Sequence, residues 1–480
     1  MAAVATNDSA PSRVSKLPAR SRRRQRLSVT MHVALTLVIG IVVPFAAYIA
    51  LGQAGVDIAS AMSALVVISL LVTAALIWLA GFYSLRRPDA PTWPTPWYPP
   101  ATAIMLSPPH DDADAVAHMV VRLRRDYAAP LQVIVTYSAP IAVNVQEALE
   151  EMARRDPMFL LLYADRGRSK AEALNAALAR AEGEFIGIFN ACQLPDRRVF
   201  NRAWMWLSNG YDAVHGRPVV TNGDTSKVAS WDSIESVAPG YAGHATESFD
   251  STTSFWVADV LKRTCRHDHE TEAFIPFLYL DRWVPVDPDL IAPRLAPTTL
   301  PGLFYQRVAW AEDTFRRSLK DLRRALRNAA IPPHRRIELV YLQLWRPIHT
   351  WLSMQIVPLV GYWFWRAGLH SRVWMVPAVG LLSLYVVHLV PAQTLFAYLS
   401  ADQEMRRRRR WFFSFSVRSP LFYVPFETLM HGVAQMRATL GEPRWTTRQR
   451  TEARAPVAKA THIPFPVPSD ESRPPINRGG

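Results

Sequence analysis

The chain has 480 residues, half of them hydrophobic, and carries a formal net charge of +14. One soluble core does not account for this combination, because so large an apolar fraction points to membrane segments. The 2 cysteines, Cys192 and Cys265, form neither a CxxC pair nor a disulfide framework, so we expect both to be reduced.

The N-terminal part contains two long apolar segments, residues 29–51 and 60–83, and neither carries a charged side chain. Each is long enough to cross a hydrocarbon core of about 30 Å as a helix. A cleavable signal peptide would have a shorter apolar region, so we predict two retained transmembrane helices within 29–85. Arginines before the first segment and after the second place the basic tail 1–28, and the chain after residue 86, in the cytoplasm.

Two more apolar segments lie near the other end of the chain, at 347–365 and 373–400, and both are rich in the Trp and Tyr that favour membrane interfaces. They predict a second pair of transmembrane helices within 337–400. Four spans with cytoplasmic basic flanks indicate a multi-pass protein of the plasma membrane, whose soluble domain lies in the cytoplasm.

Several basic or polar segments flank these spans. The segment 401–450 is amphipathic and contains prolines, which favours a helix in the membrane interface, with Arg406 to Arg410 against anionic headgroups. The Pro-rich end, 451–480, is predicted to be disordered. The basic helix 316–329 has leucines at helical spacing beside the membrane spans, so we interpret it as an interface helix and expect no nucleic-acid partner.

A Pro-rich linker, 86–100, introduces a soluble region, 101–336, in which predicted strands and helices alternate. This alternation predicts a mainly parallel sheet, and unbroken apolar strands indicate burial on both faces. Ligands bind at the carboxyl ends of the strands in such sheets. The predicted strands are 101–107, 131–138, 158–164 and 184–191, and the predicted helices are 112–126, 143–155 and 170–183.

Residues 167–196 read GRSKAEALNAALARAEGEFIGIFNACQLPD. Their residue types and spacing resemble the core of processive family-2 glycosyltransferases, the membrane enzymes of the cellulose, hyaluronan and chitin synthase type, whose pattern is approximately GKAGALNxGLxxAxGEYIxxxDADxxP. PTTLPGLFYQRVAW, at 297–310, is similar to the family's Pro-Thr-Thr followed by QRxRW. HGRP, at 215–218, matches the strand segment after the metal motif. The resemblance extends over 29–445.

This resemblance implies a GT-A-like, mainly parallel α/β sheet domain inserted between pairs of transmembrane helices. It also implies a nucleotide-diphosphate sugar donor, a glycan acceptor and a divalent metal. The substrate-binding positions that it carries over to this sequence are Lys170, Asn175, Asn190, Cys192, Arg217, Gln306, Arg307 and Trp310.

The family's charged residues are replaced at four places. A nucleotide-binding Asp after the second strand falls on Thr136 to Ser138, and the Asp-Ala-Asp that holds uridine and metal falls on Asn190 to Cys192. The Thr-Glu-Asp that contains the general base falls on Thr271 to Ala273, and the Arg of QRxRW falls on Ala309. Because Mg²⁺ and Mn²⁺ prefer carboxylate oxygens, an amide and a thiol are poor substitutes. We therefore expect no cofactor; Mg²⁺ or Mn²⁺ would bind only if the site were catalytically active.

The general base could instead have moved by a few residues. The segment CRHDHETE, at 265–272, places Glu270 and Glu272 beside the family's base position, and either could be a displaced catalytic base. Its two histidines, His267 and His269, would share a face of an extended segment and could bind a metal together. The alternative is a solvated polar loop. The acidic turn HDDADAV, at 110–116, fits a helix start and a nucleotide contact equally well.

Two functions follow from these replacements. The first is a pseudo-glycosyltransferase that serves as a scaffold or binding subunit in cell-envelope glycan or polysaccharide assembly. Its expected partners are the lipid bilayer, a nucleotide sugar, a glycan acceptor and other cell-envelope synthesis subunits. The alternative is an active family-2 glycosyltransferase that uses a nucleotide- or lipid-linked donor at an atypical, metal-independent site. The loss of all four features together favours the first function.

Overall fold

The structure is a computed structural model of the chain. It describes residues 29–85, 97–106, 113–137, 143–163, 170–190, 198–237, 253–266, 284–327, 344–367 and 390–441. Among the predicted site residues, Cys192, Glu270 and Glu272 lie outside these ranges, as do His267 and His269.

The central element is a seven-stranded sheet with the strand order β3-β2-β1-β4-β6-β5-β7. Its strands are β1 (Ala101–Leu106), β2 (Leu131–Tyr137), β3 (Phe159–Tyr163), β4 (Phe185–Asn190), β5 (Ala213–Val220), β6 (Ser254–Val257) and β7 (Val286–Arg294). Every strand except β6 runs in the same direction, because β4 and β5 both pair with β6 in antiparallel fashion and all other pairs are parallel. The fold is therefore α/β with a mainly parallel sheet, as the alternating pattern predicts.

Helices cover both faces of this sheet. Successive side chains of β1 point to opposite faces: Ala103 and Met105 belong to one buried cluster, and Ile104 and Leu106 to the other. Burial on both faces explains why β1 to β4 are largely apolar. The helices of the domain are α3 (Ala113–Asp126), α4 (Val143–Arg155), α5 (Lys170–Leu178), α6 (Val199–Leu207), α7 (Lys227–Val237), α8 (Ala258–Arg266) and α9 (Leu300–Arg327).

Two helices precede the domain, α1 (Val29–Gln53) and α2 (Ile58–Leu85). By length and composition, these are the two helices of the described residues that could cross a membrane. The first contains a π-helical turn just before Pro44, at Val38–Val42. Because proline has no N–H, the carbonyl of Gly40 lacks its donor four residues later, and Gln355 Nε2 donates to that carbonyl at 3.1 Å instead.

The predicted third span, 347–365, is not one continuous helix. It is divided between α10 (Arg346–Met354) and α11 (Ile356–Ala367), and the break falls at Gln355. Neither helix reaches the length needed to cross a bilayer alone. Much of the predicted fourth span lies outside the described residues, and its described end forms α12 (Val390–Ser400).

The C-terminal helices pack against the sheet domain. They are α13 (Gln403–Arg407), α14 (Arg409–Arg418) and α15 (Val424–Thr439), with a π-helical turn at Ser419–Tyr423. Phe412 and Phe415 of α14 share a buried cluster with Ile234 of α7 and Leu303 of α9. Glu312 of α9 and Arg437 of α15 form a buried ion pair at 3.0 Å. The predicted interfacial segment is therefore joined to the domain by a common core.

Candidate functional site

The carboxyl ends of β1, β2 and β4 meet at one edge of the sheet. Leu106, the last residue of β1, is in register with Thr136 of β2 on one side and with Asn190 of β4 on the other. Ligands of parallel α/β sheets bind at this edge. Two of the four positions with replaced charged residues thus lie at the edge of the sheet where ligands of such folds bind.

Arg217 of β5 reaches the same edge. Ser254 of β6 is in register with both Ile188 of β4 and His215 of β5. Since β4 and β5 run in the same direction, Asn190 and Arg217 lie two residues further along at the same level of the sheet. Two strand spacings separate them, about 10 Å.

The position of the nucleotide-binding Asp holds neutral groups within the core. Thr136 is buried, and its hydroxyl donates to the carbonyl of Met105 at 3.3 Å. Tyr137 is fully buried within the cluster that covers one face of the sheet. A carboxylate at either position would lose its hydration without a cation beside it.

The residues at this edge do not fit Mg²⁺ or Mn²⁺. At the first carboxylate position β4 ends on Asn190, a neutral amide, and the second position, Cys192, falls in the undescribed stretch 191–197. In the part of the chain that the structure describes, no group of three or more His, Cys, Asp or Glu side chains could hold a metal ion. These cations prefer carboxylate oxygens, and an amide with a thiol is a poor replacement.

Lys170 and Asn175 belong to α5, the helix between β3 and β4. Lys170 is its first residue, and Asn175 is half-buried with its carbonyl accepting from the N–H of Ala179 at 3.1 Å. The helix packs on β1, β2 and β3, which places both residues beside the parallel strands. Their predicted roles in substrate binding stay predictions.

The residues carried over from QRxRW lie on α9, and they sit at the junction with α7. The guanidinium of Arg307 is buried, and its Nη2 donates to Asp232 at 2.6 Å and to Glu235 at 2.5 Å. It lies 5.2 Å from the ring centroid of Trp310. These contacts hold Arg307 within the protein, and its predicted role as a substrate ligand stays a prediction.

Two neighbouring positions on α9 differ in what they offer a ligand. The side chain of Gln306 is half-buried, and its Oε1 is buried without a hydrogen-bond partner among the described residues. Ala309, the position of the family's second arginine, is only 3% exposed. A side chain as large as arginine would have to displace its neighbours there.

The acidic partners of Arg307 form a buried cluster that the sequence interpretation missed. Arg294 of β7 pairs with the other oxygen of Asp232 at 2.8 Å, and the hydroxyl of Tyr423 donates to Glu235. Burial raises the pKa of Glu235 to about 7, while the positive charge of Arg307 opposes that shift. The sequence SWDSIESV, at 230–237, could have indicated this cluster, because Asp232 and Glu235 are three residues apart and therefore lie on one face of a helix.

Comparisons with known proteins do not establish a family for the chain. No protein-family model matches it, and no curated protein matches it. The solved structures similar to it include a mannosyltransferase from Pyrobaculum calidifontis in complex with GDP-Man and Mn²⁺, with a TM-score of 0.49 and 17% identity over 80% of this chain and 100% of that one. TarS 1–349 from S. aureus gives a TM-score of 0.31 and 12% identity over 71% of this chain and 92% of that one. These values are too low to assign an activity.

Proposed function

We propose that this chain is a membrane glycosyltransferase-like protein of cell-envelope glycan assembly, and that it works as a pseudo-glycosyltransferase scaffold or binding subunit. The observation that carries the proposal is the end of β4. The sequence around it keeps the order and spacing of the resemblance, and Asn190 is in register with Leu106 at the carboxyl ends of parallel strands, which supports a ligand site there. The residue at that point is an amide where the family has a carboxylate.

The chemical reason concerns the leaving group. Transfer from a nucleotide-diphosphate sugar releases a diphosphate, whose negative charge must be stabilised by a metal or by fixed cations. Asn190 and Cys192 are poor ligands for Mg²⁺, and Ala273 cannot accept a proton from an acceptor hydroxyl. A domain with these replacements keeps the strand edge at which ligands of such sheets bind, but it lacks the groups that drive transfer.

The proposed setting is the plasma membrane. Two helices, Val29–Gln53 and Ile58–Leu79, have the length and composition of membrane spans. We propose that 337–400 completes a multi-pass anchor and that the sheet domain is cytoplasmic. The proposed partners are the lipid bilayer, a nucleotide sugar, a glycan acceptor and other subunits of cell-envelope synthesis.

One observation favours the alternative, an active and metal-independent glycosyltransferase. Arg217 puts a fixed positive charge at the level of Asn190, and a guanidinium can stabilise a diphosphate without a metal. Such an enzyme would also need a base, which would be Glu270 or Glu272. Sugar transfer in EDTA that is abolished by Glu272→Gln or Lys170→Ala would establish this alternative.

The test of the proposal is calorimetry of the full-length protein in an uncharged detergent. UDP, UDP-sugars and other nucleotide sugars are titrated with Mg²⁺, with Mn²⁺ and with EDTA. We expect the affinity for any nucleotide that binds to agree within about 2-fold across the three conditions, because no carboxylate pair couples a metal to the diphosphate. An affinity at least about 10-fold higher with Mn²⁺ than with EDTA would overturn the proposal.

A further inference from the structure

Arg217 is a largely buried arginine with a donor that no described residue uses. Its side chain is 13% exposed, and Nη2 donates to Asp402 Oδ2 at 3.2 Å. The Nε–H is buried and has no hydrogen-bond partner in the described ranges. A guanidinium carries five N–H donors, and a buried donor without an acceptor is costly. The side chain therefore has donor capacity left for a further acceptor.

Arg202 shows how a guanidinium in this domain is satisfied when its role is structural. Its Nε donates to Asp287 at 2.6 Å, and its Nη2 donates to Asp287 at 3.1 Å and to Asp289 at 2.9 Å. Arg202 is more exposed than Arg217, at 28%, yet it has the fuller set of acceptors. Compared with Arg202, Arg217 thus keeps more of its donors available for a further acceptor.

The carboxylate that contacts Arg217 comes from the basic segment after α12. Asp402 caps α13: its Oδ1 accepts from the N–H of Met405 at 2.8 Å, while Oδ2 reaches Arg217. A few residues on, Arg408 pairs with Asp224 at 2.5 Å and lies 4.5 Å from the ring centroid of Trp411. These contacts attach the segment 402–408 to Arg217 of β5 and to Asp224 in the turn after β5. They hold the Asp402 carboxylate beside Arg217.

We propose that Arg217 binds the diphosphate group of a nucleotide ligand, and that Asp402 is a tethered carboxylate that competes with this ligand for the guanidinium. The proposal rests on the proposed function for the identity of the ligand. A phosphate group can bind a guanidinium through two parallel hydrogen bonds, whereas Asp402 provides a single long contact and is itself 45% exposed. Ligand binding would therefore displace Asp402 and loosen the segment that carries Arg408.

The test uses the full-length protein in an uncharged detergent, titrated calorimetrically with UDP and with inorganic pyrophosphate. Asp402→Asn removes the charge and keeps the helix cap, because asparagine is an equally good N-cap residue. Asp224→Asn is the matched control. Asp224 is an exposed carboxylate that pairs with Arg408 of the same segment, and it does not contact Arg217. We expect Asp402→Asn to raise the affinity for both probes by about 2- to 5-fold, and Asp224→Asn to change it by less than about half that factor.

Arg217→Gln completes the test. It should lower the affinity for both probes by about 10-fold or more, because a charge-assisted hydrogen bond is lost. In the Arg217→Gln background, Asp402→Asn should no longer raise the affinity. Equal effects of Asp402→Asn and Asp224→Asn would overturn the inference, as would binding of UDP that is unchanged by Asp402→Asn.

The probes separate this inference from the proposed function. If pyrophosphate binds and responds to Asp402→Asn while UDP binds to no variant, the nucleotide assignment is wrong and the competition at Arg217 stands. If UDP binds without responding to Asp402→Asn or to Arg217→Gln, the nucleotide assignment stands and the inference is wrong. If neither probe binds to any variant, Arg217 is not an anion site and the inference is overturned.

Discussion

Replacing Arg307 by methionine tests whether this side chain holds α9 to α7. Methionine keeps an unbranched side chain beside Trp310 and removes the positive charge. Asp232 is fully buried and contacts Arg307 at 2.6 Å. Removing one partner of a buried ion pair typically costs about 3 to 5 kcal/mol, and we expect the lower end, about 3 kcal/mol, because Arg294 remains beside Asp232. For a domain of this size, that loss lowers the thermal midpoint by about 6 to 12 °C.

The assay is thermal unfolding of the full-length protein in detergent, followed by tryptophan fluorescence. Arg155→Met is the control, because Arg155 is 78% exposed and pairs with Glu151 on the surface, so its midpoint should stay within about 2 °C of the unaltered protein. The double variant Arg307→Met/Asp232→Asn should be less destabilised than the sum of the two single changes by at least about 1 kcal/mol. A midpoint for Arg307→Met within about 2 °C, together with additive effects, would refute the structural role of Arg307.

Three further predictions concern pH dependence, metal binding and the membrane interface. Burial raises the pKa of Glu235 to about 7, so its contribution to stability falls as the pH rises from about 5 to 7, whereas burial lowers the pKa of His215 to about 4 and gives a contribution that rises with pH; the thermal midpoint of Glu235→Gln should therefore gain on that of the unaltered protein as the pH rises across this range, and a constant difference between the two would contradict the prediction. Restoring both carboxylates with Asn190→Asp and Cys192→Asp should create Mn²⁺ affinity measurable by calorimetry, without sugar transfer, since the general base is still missing; turnover by this variant would show that the base lies elsewhere. A fluorophore on Phe413→Cys should be quenched by spin-labelled lipids, because Phe413 is 74% exposed on α14, whereas the same label on Val121→Cys in α3 should not be, with the native cysteines replaced by serine in both.

Four of the seven strands, β1 to β4, could be predicted from the sequence, because burial on both faces favours largely apolar runs. The strands β6 and β7 were not predicted, and β7 (VDPDLIAPR) contains two aspartates and two prolines. The helix predicted at 170–183 is shorter in the structure and ends at Leu178. The reason lies in a close approach that the local sequence does not show. A Cβ on Gly183 would lie 2.4 Å from the carbonyl carbon of Ala101, and Glu184 donates its N–H to Pro100, so the chain must leave the helix to enter β4.

Contacts across long sequence separations could not be predicted. Arg307 donates a hydrogen bond to Asp232, 75 residues away in the sequence, and Arg217 donates one to Asp402, 185 residues away. A sequence motif indicates which residues could bind a ligand. It does not show whether other side chains of the same protein already form hydrogen bonds with those residues, because such tertiary contacts are not visible in the local sequence. Hydropathy similarly predicts one helix over 347–365. The structure instead has two helices that meet at Gln355, whose side-chain amide donates a hydrogen bond to the carbonyl of Gly40.

The replacement of the metal ligands is the central claim, and Mn²⁺ titration of the full-length protein without any nucleotide tests it most directly. Electron paramagnetic resonance distinguishes free Mn²⁺ from Mn²⁺ bound to the protein. With Asn190 and Cys192 in the positions of the carboxylates, the spectrum should match that of Mn²⁺ in buffer alone at every protein concentration. Stoichiometric loss of the free signal, one Mn²⁺ per chain, would contradict the account.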